Sequence, residues 1–151
     1  MSVMRKLAEL GIVLPPPPKP AASYVTTRRN GNIVYVSGQG PMKGASPMFT
    51  GRVGSDITEA DAYEASRIAA LNALAAIHEF IGLDNIKGVI KLTGWVSSAG
   101  DFYRQHCVVD GASDLLIAIF GDEGLHTRCA LGVNALPFNI PVEIELCVEV
   151  L

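Results

Sequence analysis

Charge is what this chain has least of: only 18% of its 151 residues are Asp, Glu, Lys or Arg, against 49% hydrophobic. With 12 basic and 15 acidic residues the formal balance is −3, which excludes a broad basic track for a nucleic-acid backbone. Long hydrophobic runs are missing as well. No apolar stretch reaches the ~18–20 residues that a membrane span requires. No long apolar segment follows the charges of Met1-Ser-Val-Met-Arg-Lys-Leu7, so a secretory signal is not expected either. Cysteine is confined to Cys107, Cys129 and Cys147, an odd number without CxxC spacing. That argues against a disulfide framework or a zinc site and fits reduced thiols in a cytoplasmic protein. An apolar chain of this length builds one generous core, or covers apolar surface with copies of itself.

What is present is organised by hydrophobic period. Residues 1–11 suit a short helix stopped by Gly11, and Pro15 to Pro18 with Pro20 enforce an extended, polyproline-like lead. Together these predict an N-terminal arm over residues 1–20, laid along a single domain of residues 21–151; a ligand for a proline-binding module is the alternative. Asn30-Gly31 between two β-rich runs predicts a hairpin. Ser37-Gly-Gln-Gly-Pro41 lets backbone approach something closely but lacks the GxxxxGK[ST] spacing of a phosphate loop. Residues 42–57 read as loop and short strand. At Thr58-Glu-Ala-Asp61 a capping pattern opens a helix that runs to about Ile81 and stops at Gly82. Its stripe of Ile68, Leu71, Leu74, Ala75, His78 and Ile81 suits packing on a sheet, with His78 a helix-edge residue without chemistry.

Gly88 to Ser97 is a further strand, with Trp95 in the core or at an interface. Between Asp101 and Phe120 the pattern predicts two helical pieces broken at Val109-Asp-Gly-Ala-Ser-Asp114, the second capped by Ser113 or Asp114. Two paired strands follow, joined by a tight connection containing Leu136-Pro137. The second alternates Val142, Ile144, Leu146, Val148, Val150 against Glu143, Glu145, Cys147, Glu149. The fold class is therefore α+β: a mixed sheet with two main helices on one face.

The candidate chemistry sits in those last strands. Arg128 offers a planar fork for a carboxylate, or serves a strand-end salt bridge. Glu143 can handle protons or orient water, or lie on an ordinary solvated strand face. His106 and His126 form a conceivable metal-free nucleolytic pair, but the acidic chain lacks a basic track with aromatic platforms.

Tyr24-Val, Val36-Ser-Gly-Gln39, Asp101-Phe102, Arg128, Leu136-Pro137 and Val142-Glu-Ile-Glu145 form an ordered set. In it the chain resembles the RidA/YjgF family, also called the endoribonuclease L-PSP family, with its chorismate-mutase-like fold. The likeness runs over roughly residues 20–151. It implies a homotrimer with three clefts between subunits, and no metal or organic cofactor. The activity it implies is hydrolysis of reactive enamines and imines to 2-keto acids and ammonia. A non-catalytic trimeric binder of small carboxylate metabolites is the alternative, and RNA cleavage the least favoured. By position, Arg128 would hold the substrate carboxylate and Glu143 would position or deprotonate water. Tyr24 and Ser37 would line the cleft, and the backbone of Gly38 and Cys129 would hydrogen-bond the ligand. Two departures stand out. Ala130 replaces the cysteine common two residues after the arginine, and Asp110-Gly111 stands where the family has an asparagine. A carboxylate at 110 would repel an acidic substrate unless the arginine outweighs it.

Overall fold

The alternation at the C-terminal end decides the architecture. In the computed structural model, which describes residues 2–151, Val142, Ile144, Leu146, Val148 and Val150 are all buried, and the residues between them face away from the core. A short helix α1 (Val3–Glu9) precedes the sheet, and the chain over residues 12–20 has no regular structure. Strands β1 (Thr27–Asn30) and β2 (Ile33–Gln39) form the hairpin, followed by a small two-stranded ribbon, β3 (Met42–Lys43) and β4 (Ser46–Pro47). Then come α2 (Glu59–Ile81), β5 (Ile86–Ser97), α3 (Gln105–Phe120), β6 (Thr127–Val133) and β7 (Val142–Val150).

The main sheet runs β1-β2-β7-β5-β6, mixed in direction because only β5 and β6 are parallel. Both long helices cover one face: α2 packs over β2 and β7, and α3 over β5 and β6. The core lies between, with Val34, Val36, Leu92, Val96, Ile144 and Leu146 from the sheet against Leu74, Ile77 and Leu116 from the helices. Each such side chain contributes about 1.5–3 kcal/mol relative to exposure. The expected α2 limits hold: the Thr58 hydroxyl accepts from Asp61 N at 3.1 Å, and Gly82 (φ 77°) ends the helix. The α2 stripe is wider than expected, since Ala65, Ala69, Ala73 and Ala76 are buried too. The hairpin loop is shifted by one residue. Asn30 pairs with Ile33, so the two loop residues are Gly31 and Asn32, and of these only Gly31 has positive φ.

Two sequence expectations are corrected. The two last strands are not paired with each other: β5 lies between them, parallel to β6 and antiparallel to β7. The return from β5 through α3 forms a parallel crossover, and the connection from β6 then steps over β5, roughly 10 Å across. Pro137–Asn139 turns that connection, with Phe138 and Asn139 both at positive φ. The expected break at residues 109–114 is also absent, because α3 is one helix. Gly111 is there for packing: a Cβ on it would collide with the backbone carbonyl of Tyr63 in α2. Neither Ser113 nor Asp114 caps anything; Asp114 instead accepts from the Tyr63 hydroxyl at 2.7 Å, which helps push that phenol up to about 12.

Candidate functional site

One half of the site is made by a bulge. Val36 faces Leu146 but Gln39 faces Ile144, so Ser37 and Gly38 bring an extra residue into the β2 ladder. The bulge lays Gly38 against Glu143, whose carboxylate occupies the volume a Cβ on residue 38 would need. Buried Asn72 fixes the far end of the bulge by donating to Gly40 O (2.9 Å) and Met42 O (3.0 Å). Glu143 and Gly38 line a shallow cleft of about 270 Å³ with Trp95, Leu136 and Glu145. Burial raises the Glu143 carboxyl above its ordinary value, and the neighbouring Glu145 charge raises it further.

Arg128 builds the other half, on β6 beneath α3. Its Nη1 donates to Asp110 Oδ1 (2.7 Å) and Ser113 Oγ (3.0 Å), and its Nη2 to the His106 carbonyl (3.0 Å). Residues 106, 110 and 113 recur at helical spacing, so one face of α3 supplies all three acceptors. His126 completes the frame. Its Nδ1 lies 2.7 Å from Gly124 O, an obligate acceptor, so the neutral ring carries its proton there and Nε2 receives the Ser113 hydroxyl at 2.9 Å. Of the five guanidinium N–H donors three are engaged; the Nε–H has no acceptor among the described residues. The Arg128 and Asp110 side chains are 23% and 46% exposed. A pair this open adds about 0–1 kcal/mol to stability, so it orients more than it stabilises.

Arg128 and Glu143 do not meet within the chain. Arg128 is level with Leu92, and Leu92 with Leu146, whereas Glu143 is level with Trp95. The offset from Leu146 to Glu143 is odd, so arginine and glutamate project from opposite faces of the sheet. Cys129 faces the Glu143 side and is exposed. Tyr24 is exposed, with its hydroxyl accepting from Ala21 N, and the Ser37 hydroxyl donates to Val25 O at 2.6 Å. His106 and His126 do not form a pair: His126 is held by Ser113 and Gly124, and only the backbone of His106 takes part. Sequence reasoning missed Asn72, whose one signal is an amide inside an Ala/Leu stripe, and the role of Ser113 beside Arg128. No cluster of three His, Cys, Asp or Glu side chains suited to a metal ion occurs among the described residues.

The family description "YjgF/chorismate_mutase-like, putative endoribonuclease" matches residues 5–150. The chain belongs to the YjgF family. Among its relatives, Protein TCP17 of Trypanosoma cruzi is 40% identical over 149 residues, 97% of this chain and 93% of that protein. The crystal structure of Atu1372 from Agrobacterium tumefaciens is 41% identical, with a TM-score of 0.89 over 98% of this chain and 91% of that one. A Shewanella oneidensis structure bearing the same endoribonuclease description is 30% identical, with a TM-score of 0.95 over 99% of this chain and all of the other. The mixed sheet and its helices are thus the chorismate-mutase-like fold of the YjgF family.

Proposed function

We propose that this YjgF protein hydrolyses small carboxylate-bearing imines and enamines to 2-keto acids and ammonia, in clefts between the protomers of a homotrimer. The observation that carries the proposal is Glu143: a half-buried carboxyl with a raised pKa, on the wall of a cleft large enough for a small metabolite. In the reaction an iminium carbon and water give a carbonyl and ammonium. Glu143 accepts the proton of the attacking water as its oxygen bonds to the imine carbon, and the C=N pair moves to nitrogen. On collapse the same carboxyl returns the proton to nitrogen. The hydroxyl oxygen's lone pair forms the C=O bond as the C–N bond breaks, and the hydroxyl proton passes to the departing ammonia, which leaves as ammonium. A group that must take and return a proton works best when its pKa is drawn toward neutrality, the direction in which burial moves Glu143. Arg128 holds the substrate carboxylate, and because it lies on the opposite face of the sheet from Glu143, it comes from a neighbouring copy. Tyr24, Ser37 and the backbone of Gly38 and Cys129 line the shared cleft. Holding an already electrophilic carbon and a water in register supplies much of the acceleration.

Decay of 2-aminoacrylate, generated in situ, tests the proposal. Arg128→Ala and Glu143→Gln should each slow turnover about 100-fold or more, on the usual scale of a lost acid–base group. Wild-type rates no better than buffer would sink the enzyme reading. Ala130, in place of the cysteine common in the family two residues after the arginine, favours one second reading, a trimeric carboxylate binder without turnover, for which saturable 2-keto acid binding without decay would be the signature.

A further inference from the structure

We infer that His126 is a positioning residue for Arg128: acting through the Ser113 hydroxyl, it fixes which guanidinium donors are left for a ligand carboxylate. The inference rests on the reading of Arg128 as the group that holds that carboxylate.

Three observations carry it. First, the donors of Arg128 are unevenly spent. Nη1 gives its two hydrogens to Asp110 Oδ1 and Ser113 Oγ, and Nη2 gives one to the His106 carbonyl. The Nε–H and one Nη2 hydrogen are left over, so Nη1 is the anchored end and the ligand takes what remains. Second, Ser113 is buried, and its oxygen serves two partners at once: it accepts from Arg128 Nη1 at 3.0 Å and donates to His126 Nε2 at 2.9 Å. Third, His126 is itself tied to backbone. Its Nδ1 lies 2.7 Å from Gly124 O, and Gly124 ends a turn (Gly121–Gly124) pressed so closely on α3 that a Cβ there would strike the Leu116 carbonyl.

The tautomer decides what this line of contacts does. With the proton on Nδ1, Nε2 offers a lone pair alone, so the Ser113 hydrogen points at it and an Oγ lone pair is left for Arg128. A serine inside a helix has a competing choice, which is to turn its hydroxyl back on the carbonyl four residues earlier, here that of Val109. The imidazole supplies an acceptor off the helix and holds the hydroxyl away from that choice. Without it, Oγ swings toward Val109 and away from the guanidinium. One Nη1 hydrogen is then released, and the guanidinium can pivot about its single contact with Asp110, a side chain 46% exposed. An arginine that pivots still carries its charge but no longer presents the same donors in one direction. Affinity for a carboxylate falls although no residue that touches the ligand has changed.

Calorimetric titration of the native protein with propanoate, an unreactive carboxylate, reads this directly. His126→Asn keeps a donor for Gly124 O but is too short to bring an acceptor to Ser113; it should weaken propanoate about tenfold. His126→Gln, whose amide oxygen reaches the place of Nε2, should restore most of that loss. Ser113→Ala should weaken binding as much as His126→Asn does, and adding His126→Asn to it should cost nothing further, because the path is already cut. A histidine that only supports the fold would instead weaken binding again in the double variant. In wild type labelled with 15N-histidine, the ring signal that His126→Gln removes should carry its proton on Nδ1. Wild-type affinity in His126→Asn, no restoration by His126→Gln, a further loss in the double variant, or a His126 proton on Nε2 overturns the inference and leaves Arg128 as a carboxylate holder intact. Should His126→Asn fail to fold, Ser113→Ala and the ring proton of wild type still decide it. Wild type that binds no propanoate, or binding that survives Arg128→Ala, overturns the Arg128 reading and this inference with it.

Discussion

Glu143 ionises against its surroundings, and that has a sign. Its folded pKa lies above the ordinary carboxylate value, through burial first and Glu145 second. Between those two values the folded chain holds more protons than the unfolded one, so stability is full below the ordinary value and falls as pH rises through the raised one. Glu143→Gln removes that loss. Its melting temperature should exceed that of wild type near pH 7.5 and match it below about pH 4, where the carboxyl is neutral in both states. Differential scanning at the two pH values decides it, and an equal gap at both would show that burial does not govern this residue. Arg128 behaves differently: its charge is already shared with Asp110, and its importance lies in which donors remain open.

At the scale of the elements, the helix pair turns on a missing side chain. Alanine at residue 111 would gain about 1 kcal/mol in helix propensity. Its Cβ would nonetheless strike the Tyr63 carbonyl, which is backbone and cannot rotate away. Overpacking of this kind costs about 1–3 kcal/mol, so Gly111→Ala should lower the urea midpoint without changing the slope. A midpoint at or above wild type would mean that α2 and α3 can separate freely. Gly111 also marks the limit of what sequence discloses. Local chemistry was legible: the Thr58 cap, the Gly82 stop and, one residue out of place, the hairpin turn now at Gly31-Asn32 each act within a few residues. Asp110-Gly111 carries the same local signature as a break, and only α2 lying against it reverses the meaning. The alternation of Val142 to Val150 revealed which face is buried but not which strand lies beside it. Sequence order alone places β6 beside β7 and Arg128 beside Glu143, whereas β5, from earlier in the chain, lies between them. The bulge at Ser37-Gly38 escaped for a related reason, since its partner strand is more than a hundred residues away.

The whole molecule has one covered face and one open one. Tyr35 and Leu131 lie half exposed on the side without helices, Leu131 beside Trp95 and Tyr35 beside Cys147, leaving apolar side chains of this face to water. Among the described residues no helix is long and apolar enough to cross a membrane. If copies cover this face, light scattering should report three times the 16.0 kDa chain mass. Leu131→Glu should shift that mass toward one chain and abolish activity while leaving the helical signal intact. A wild-type monomer at micromolar concentration would rule out a cleft shared between copies. Strand β5, finally, serves as a common ruler for both halves of the site. Its irregularities fall between Ile86 and Lys91, while from Lys91 to Val96 every residue is matched on both sides without interruption. Length changes during divergence can thus be absorbed at the near end of that ruler. Beyond it, a single added residue would turn guanidinium and carboxylate inside out, which leaves the distant end of this strand with the least freedom to drift.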